Sequence, residues 1–583
     1  MIFYCENNIA LDESFRRGLI TKSDIVRSSS PYVLDNSNFK TENAQSENPE
    51  LMSNMSKGCL KLASLLENIY EDTILCSFAA RLLLTYVGTI RLALNLNEND
   101  LFDKRHLIFL NSEKNFPWIK LLSNNKNLIK SEVRLKNKIE FENKKWPSPN
   151  KLVTWKTIGI DPFIFELGCR LSIFLPKALS KGEFIVLRAN PLLREAGTQL
   201  LLKRYQIRYK KSVKINYLTK IKKINIFDKE IISNMIYDSL NFFIPEFILP
   251  TLCEEISKNM TSSLHDYIYY KNNWEKEFRK NKITGIMTNL PKNTEEFSII
   301  SAAKNKDIPT FTFQHGISRE ITHDHIYINA LYENVFSDYF FSYGDSGAIA
   351  SYKAPLNKAK IIACGPPQEY KRLKKVKWQP NKNFNLLYLS TSLLRNGNDL
   401  PYGSDTNKEI LSSELNIINN ILGKTNKKVL YKSYPQGNKN RYIDPDISLI
   451  KANNYKNIEI YDGDADSRFF FGKSDLIITS RATSTIAWAI MTGTPTIYID
   501  IKDQRQLSKE VYKLFEDSIF LFRYGETNWN VSLLNLINLP IKDILEKWNN
   551  KRKDRDTLID FLFKKNNLKA GKVCSEEIIK IIN

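Results

Sequence analysis

Residues 283–316 fix more about this chain than any other stretch. Residues 283–289 read as a strand, 295–306 as a helix, and Ile308-Pro309-Thr310-Phe311-Thr312-Phe313 as a second strand. Strand, returning helix and strand make a β-α-β unit, whose two strands pair in parallel. The second strand stops abruptly at the turn-prone Gln314-His315-Gly316, which sets His315 just past a strand's carboxyl end. Open α/β sheets hold their ligands at that edge. Three of the chain's five histidines, His315, His323 and His325, fall within eleven residues.

The same alternation continues on both sides. Residues 182–188, 338–344 and 360–367 read as further strand-and-turn units, with a helix over 193–205. A second series follows: strands at 384–390, 428–432, 458–461, 475–480 and 495–500, and helices at 407–422, 467–472 and 483–491. The expected fold is α/β, with two Rossmann-like β/α domains facing a cleft and a mostly helical N-terminal extension. The expected boundaries are 1–150 for a helical and irregular extension, 151–370 for the first β/α domain and 371–383 for a basic linker. The second β/α domain spans 384–540, and 541–583 reads as C-terminal helices. Residues 28–47 are polar and read as a mobile loop. Residues 241–250, apolar but broken by two prolines, read as a buried turn.

A length of 583 residues, 42% hydrophobic, suffices for several full cores. The formal charge of +21 draws the protein to anionic surfaces. Nine of those cations and no acid lie between Lys203 and Lys223, a solvated face or a dock for anionic lipid. No nucleic-acid module accompanies the charge, so no specific nucleic acid is expected. Seven scattered cysteines without paired spacing argue for a reducing compartment. No signal peptide is visible, and the apolar stretch 73–96 carries Arg81 and Arg91, which fits a buried amphipathic helix better than a span. A cytoplasmic protein, peripheral on the inner face of the membrane, is expected.

Two places carry chemistry. His315 exchanges protons near neutral pH, and Gly316 beside it admits close approach. Glu320, Asp324 and Glu333 are the carboxylates near enough in sequence to orient His315 or to act as base instead. The other place is Ser480-Arg481-Ala482-Thr483-Ser484-Thr485, hydroxyl-rich and opening a helix. Its free N–H groups, dipole, hydroxyls and guanidinium suit an anion, with a nucleotide phosphate the natural occupant. The chain has no Walker loop, no GxGxxG and no HExxH. His323-Asp324-His325 is not expected to bind a metal, and no cofactor is expected.

Gln314-His315-Gly316 in the first series, with Asp475 to Ser484 and Gly493-Thr494-Pro495-Thr496-Ile497-Tyr498 in the second, resembles two-Rossmann (GT-B type) glycosyltransferases. The nearest families build bacterial surface polysaccharides: CDP-glycerol glycerophosphotransferases, and capsule or O-antigen transferases using CMP-activated Kdo or other nonulosonic acids. The glycerophosphotransferases carry a catalytic His-Gly pair at a strand end, which matches His315 and Gly316. Their D-x-x-I-T-D-Y-S-S segment resembles Asp475 to Thr483, and their G-x-P resembles Gly365-Pro366-Pro367. The chain departs at Ser480, where that family has Asp, and at Arg481-Ala482-Thr483, where it has Tyr-Ser-Ser. Tyr434-Pro435 stands where nonulosonic-acid transferases carry His-Pro. The similarity spans about residues 283–500.

The resemblance implies a glycosyltransferase with a nucleotide-activated sugar donor and a lipid-linked or oligosaccharide acceptor, at an anionic membrane surface. It places Ser480, Arg481, Thr483 and Ser484 around the phosphate, and Lys432 and Tyr434 on the same rim. On the acceptor side it places His315, as base or as donor to the leaving phosphate, with Gln314, Gly316 and Tyr343 as substrate contacts. A CDP-polyol phosphotransferase and a sugar-nucleotide epimerase share the architecture, and a polyanion-binding protein shares the charge.

Overall fold

A computed structural model describes residues 2–5, 7–96, 107–110, 128–130, 155, 159–172, 174, 179–210, 227–322, 333–373, 384–391, 406–434, 444, 446–463, 465–502, 506–564 and 568–583. Three parallel sheets organise them. The middle sheet contains β6 (Glu183–Arg188), β7 (Gln206–Tyr209), β8 (Gly285–Thr288), β9 (Thr310–Phe313), β10 (Tyr339–Ser342) and β11 (Lys360–Ala363). Their order is β11-β10-β9-β8-β6-β7. The last sheet contains β12 (Phe384–Leu389), β13 (Val429–Lys432), β14 (Ile458–Tyr461), β15 (Ser474–Thr479), β16 (Thr496–Asp500) and β17 (Phe520–Arg523), in the order β14-β13-β12-β15-β16-β17. That second order is the Rossmann order, with its direction reversing between β12 and β15; the middle sheet reverses between β6 and β8. Two Rossmann-like parallel-sheet units are therefore present, as expected.

Local sequence explains the strands. Helices cover both faces of a parallel sheet, so its strands read as continuous apolar runs. Thr310–Phe313 and Thr496–Asp500 are buried along their whole length. After β15 the chain enters the helix Ser484–Thr492, capped by the Thr483 hydroxyl at the Thr485 N–H, 3.4 Å away. Gly493 ends that helix at φ +75°, a left-handed conformation that suits glycine.

The first part of the chain is rich in helix, but it is also a sheet. β1 (Ile2–Cys5), β2 (Ile25–Ser28), β3 (Lys40–Asn43), β4 (Leu107–Leu110) and β5 (Leu128–Lys130) pair in parallel in the order β3-β2-β1-β4-β5. The expected helical and irregular extension thus gains a third Rossmann-ordered sheet, and the expected loop over 28–47 contains one of its strands. None of the five strands exceeds four residues, and the edge strand Lys-Thr-Glu-Asn has no apolar residue. Hydrophobic periodicity had nothing to register there.

Helices Leu51–Glu67, Thr73–Leu84 and Val87–Asn95 share a core with the 32-residue helix Leu249–Lys280. The stretch 73–96 is a buried pair of helices bent by 44° rather than one helix. No single described helix is long and apolar enough to cross a membrane. Residues 241–250 form the expected turn, with Ile244, Ile248 and Leu249 buried.

The N-terminal sheet also reaches the last one. Asp444 accepts from the Asn8 N–H at 3.0 Å, where the helix Asn8–Arg16 begins, and from the Ser30 hydroxyl. Lys408–Glu47 and Lys451–Asp35 ion pairs, at 3.2 and 3.4 Å, flank that contact. At the other end of the chain the helix Ala570–Ile582 returns to the middle unit, where Gly571 abuts Glu195 on the helix Pro191–Leu202.

Candidate active site

The carboxyl ends of the middle and last sheets meet. Gly316, just past β9, lies against Ser484, the first residue of the Ser484–Thr492 helix. Beside this contact Glu369, beyond β11, pairs with Arg468 at 2.7 Å, and Arg468 lies over the Trp488 ring at 4.7 Å. The Ser508 N–H donates to the Ile321 carbonyl at 2.9 Å, and Thr322 bridges to Leu507. Residues from the ends of both sheets therefore share one seam.

His315 is exposed at that seam. Its Nδ1 lies 3.1 Å from Nδ2 of Asn289, the first residue past β8. The amide donates and Nδ1 accepts, so the neutral ring carries its proton on Nε2. The ring touches solvent yet is walled by protein, and that enclosure, followed by the Lys292 charge, lowers its pKa. Neutral His315 is thus a hydrogen-bond donor through Nε2–H at physiological pH.

The loop is fixed from below. Gln314 is fully buried; its amide donates to the Gly316 carbonyl (2.8 Å) and to Glu320 Oε1 (2.6 Å), while its oxygen accepts from the Tyr343 N–H (2.6 Å). Asn190, at the end of β6, donates to the Gln314 carbonyl at 2.7 Å. The Tyr343 hydroxyl, almost wholly buried, donates to the His315 carbonyl at 3.3 Å. Gln314 and Tyr343, read from sequence as substrate contacts, hold the loop instead, and of that set Gly316 alone reaches the seam.

The carboxylates are also placed beneath the loop. Glu333 accepts from the His315 backbone N–H at 3.0 Å and pairs with buried Arg319 at 3.4 Å. Burial pushes Glu320 up to about 7, against the partial relief given by Arg319. It accepts from Gln314 rather than from the His315 ring, and the residue that orients the ring is Asn289. Asp324, with His323 and His325, lies outside the described residues. Among the described residues no group of three or more His, Cys, Asp or Glu is arranged to hold a metal.

On the other side of the seam the expected phosphate set divides. Thr483 and Ser484 are half-buried at the helix start. Ser480 and Arg481 are buried. Ser480 hydrogen-bonds toward Tyr388, and the Arg481 charge acts on Tyr388 and Glu414. Glu414 is itself raised to about 7 by burial and accepts from the hydroxyls of Tyr388 (2.6 Å) and Tyr431 (2.5 Å). Lys432 is buried, donating to the Ser433 and Gly463 carbonyls at 2.7 and 3.2 Å. Tyr434 is exposed. The structure thus leaves Thr483, Ser484 and Tyr434 accessible and buries Ser480, Arg481 and Lys432 at the strand ends.

Sequence reading passed over Asn289, Lys292, Glu369, Arg468 and Trp488. Asn289 was within reach, since it is the polar residue that ends the strand preceding His315. Arg468 and Trp488 were not, because only the folded chain brings Arg468 to Glu369 and Trp488.

No family model and no curated protein matches the chain. Among solved structures, it is similar to MurG from Acinetobacter baumannii at 12% identity, over 65% of this chain and 99% of that one, with a TM-score of 0.33. It is similar to Phytolacca americana UGT2, complexed with UDP-2-fluoro-glucose and pterostilbene, at 11% identity, over 68% and 98%, with a TM-score of 0.37. It is also similar to UDP-GlcNAc 2-epimerase from Neisseria meningitidis, bound to UDP-GlcNAc, at 12% identity, over 68% and 99%, with a TM-score of 0.37. Likenesses at these scores decide nothing about activity; the fold rests on the strand orders.

Proposed function

We propose that the protein is a nucleotide-sugar-dependent glycosyltransferase that adds a sugar to a growing surface polysaccharide, such as an O-antigen or capsule, or to its lipid-linked acceptor. One observation carries the reading: the His315-Gly316 loop of one sheet meets the hydroxyl-rich start of the Ser484–Thr492 helix from the other. The helix start offers N–H groups and the positive end of its dipole to a donor phosphate. Thr483 and Ser484 add hydroxyls, and Tyr434 lies beside the donor. His315, from the acceptor-side unit, donates Nε2–H to the leaving phosphate oxygen as the glycosidic bond to it breaks. The acceptor oxygen attacks the anomeric carbon as the bond to the phosphate breaks, and its proton passes to solvent. The donor we propose is a CMP-activated Kdo or other nonulosonic acid; the His-Gly pair, shared with the glycerophosphotransferases, makes a CDP-polyol the alternative.

Calorimetry with CMP, CDP, UDP and GDP tests the reading. One nucleotide should bind at least about tenfold more tightly than the rest, and His315→Ala should leave its affinity unchanged. Equal, salt-sensitive binding of every polyanion would replace the transferase with a generic basic binder. Conversion of the sugar nucleotide itself, with no acceptor added, would replace it with an epimerase.

A further inference from the structure

The helix Asp161–Ser172 lies on edge strand β7 and has two unlike faces. Phe165 and Cys169 are buried inward, and Gly168 packs so closely that a Cβ there would meet Leu201 Cδ1 at 2.5 Å. On the outer face Phe163, Ile164, Leu167, Leu171 and Phe174 are exposed, rising to 58% at Leu171 and 78% at Phe174. Ile160 continues the stripe past the helix start. Steps of three, one, three, four and three residues keep all six on one side of a helix, over roughly 20 Å. Soluble surfaces scatter single apolar residues; a continuous stripe of this size marks a contact.

Among the described residues, the exposed charges on and beside its outer face are cations. The helix's two acids turn away: Asp161 pairs with Arg372 at 2.9 Å, and Glu166 accepts from the Tyr209 hydroxyl at 2.6 Å. Arg170, Lys181 and Arg204 are exposed nearby, beside Leu202, which is 72% exposed. A second copy docked on this face by two-fold symmetry would bring those cations against their own kind. An anionic lipid surface would not.

The stripe also points to the site. Glu166 meets Tyr209 at the carboxyl end of β7, whereas Ser172 meets Ile207 further back. The helix therefore runs antiparallel to β7 and begins at the sheet edge where His315 stands. Within the neighbouring basic run Arg204 stays exposed, whereas Arg208 pairs with Glu183 and Lys210 pairs with Glu295 at 3.0 Å.

We infer that the outer face of the Asp161–Ser172 helix seats the protein on an anionic bilayer. Apolar side chains enter the headgroup boundary and the flanking cations face lipid phosphate. As a route for a lipid-linked acceptor the inference rests on the transferase reading; the lipid contact itself does not.

The full chain is sedimented with vesicles of phosphatidylcholine alone and of phosphatidylcholine mixed with phosphatidylglycerol. Wild type should partition onto the mixed vesicles and little onto the neutral ones. Leu167→Gln/Leu171→Gln/Phe174→Gln, all at exposed positions, should keep the melting temperature and lose about tenfold or more in partition. Arg170→Gln/Lys181→Gln should lose several-fold and flatten the salt dependence. Equal binding by wild type and the triple variant overturns the inference, as does wild type that binds neither vesicle. So does a wild-type dimer that the triple variant converts to a monomer without change in lipid binding. Nucleotide affinity, read in parallel, should be the same in all three proteins; its absence from wild type would sink the transferase reading and leave the lipid result standing.

Discussion

A β-carbon placed on Gly316 would lie 2.0 Å from the Ser484 hydroxyl oxygen and 3.1 Å from Ser484 Cβ. The two motifs most distinctive in the sequence are thus separated by less than one methyl group. Glycine is needed at 316 for space rather than for conformation, since its φ is not in the left-handed range. The contact links a sheet-end loop to a helix start whose N–H groups would face any phosphate bound there.

Gly316→Ala should therefore disturb the seam more than the fold. The hydroxyl can rotate aside, but Ser484 Cβ must also give way. We expect nucleotide affinity to fall by about tenfold with a small drop in melting temperature. Gly316→Ala/Ser484→Gly should bind no more weakly than Ser484→Gly alone, a coupling that a double-mutant cycle by calorimetry reads directly. Additive losses would mean that the two residues do not share a site.

Glu320 gives a pH signature. Burial sets its folded value at about 7, above the ordinary 4.5. Between those values the folded chain holds a proton that the unfolded chain has released. Its contribution to stability is complete below 4.5 and is lost as pH rises through about 7. Glu320→Gln should remove that loss, gaining on the order of 1–3 kcal/mol over wild type on the alkaline side, measured by urea unfolding across pH. Turnover should stay within a few-fold, because Glu320 holds Gln314 and not the histidine ring.

The strand-end rule explains what was legible. His315 and the 483–485 helix start follow strands of mostly buried β-branched, aromatic and aliphatic residues, and polar turn residues mark the end of each. The inward-facing members of the same motifs could not be separated by sequence. Ser480 and Ser484 are alike in type and four residues apart, yet the first sits against Tyr388 inside the sheet and the second at the seam. Lys432 is similar: a cation at a strand end suggests phosphate, but its ammonium is bonded to the Ser433 and Gly463 carbonyls. The N-terminal sheet was hidden for another reason, since strands of three or four residues carry too few side chains to show a period.

Arg481 accordingly should behave as a structural cation. It is buried beside the Glu414 and Tyr388 network. Arg481→Ala leaves that network without its positive charge and should cost about 3 kcal/mol or more, read as a lower urea midpoint. Ser484→Ala should leave the midpoint unchanged and weaken nucleotide binding by several-fold, the loss of one hydroxyl contact.

Asp444 should tie the N-terminal sheet to the last one. Asp444→Ala leaves the Asn8 N–H and the Ser30 hydroxyl without their acceptor. A cost of about 1–3 kcal/mol is expected. Limited proteolysis should then release the N-terminal unit faster while the rest of the chain persists. Unchanged cleavage rates would show that the Lys408–Glu47 and Lys451–Asp35 pairs suffice.

The last prediction separates the two roles open to His315. Enclosure and then Lys292 lower its pKa below 6.5, so the ring is neutral at pH 7, and Asn289 leaves the proton on Nε2. Stability should rise with pH through the window just below 6.5, because there the unfolded chain binds a proton that the folded one does not. Turnover should be flat above that window. His315→Ala should reduce turnover by about a hundredfold or more, with nucleotide affinity nearly unchanged. Asn289→Asp puts a carboxylate where the amide donates. It should raise the histidine pKa and pull the ring proton to Nδ1, leaving Nε2 bare in the neutral form. If His315 donates to the leaving phosphate, this variant regains an Nε2 proton only when the ring is charged. Its turnover should then rise as pH falls, in contrast to wild type. If His315 is a base, the bare Nε2 is the active form, and the variant should work best at high pH with a stronger base than wild type. The pH profile of Asn289→Asp therefore decides between a donor and a base, whatever the size of the His315→Ala effect.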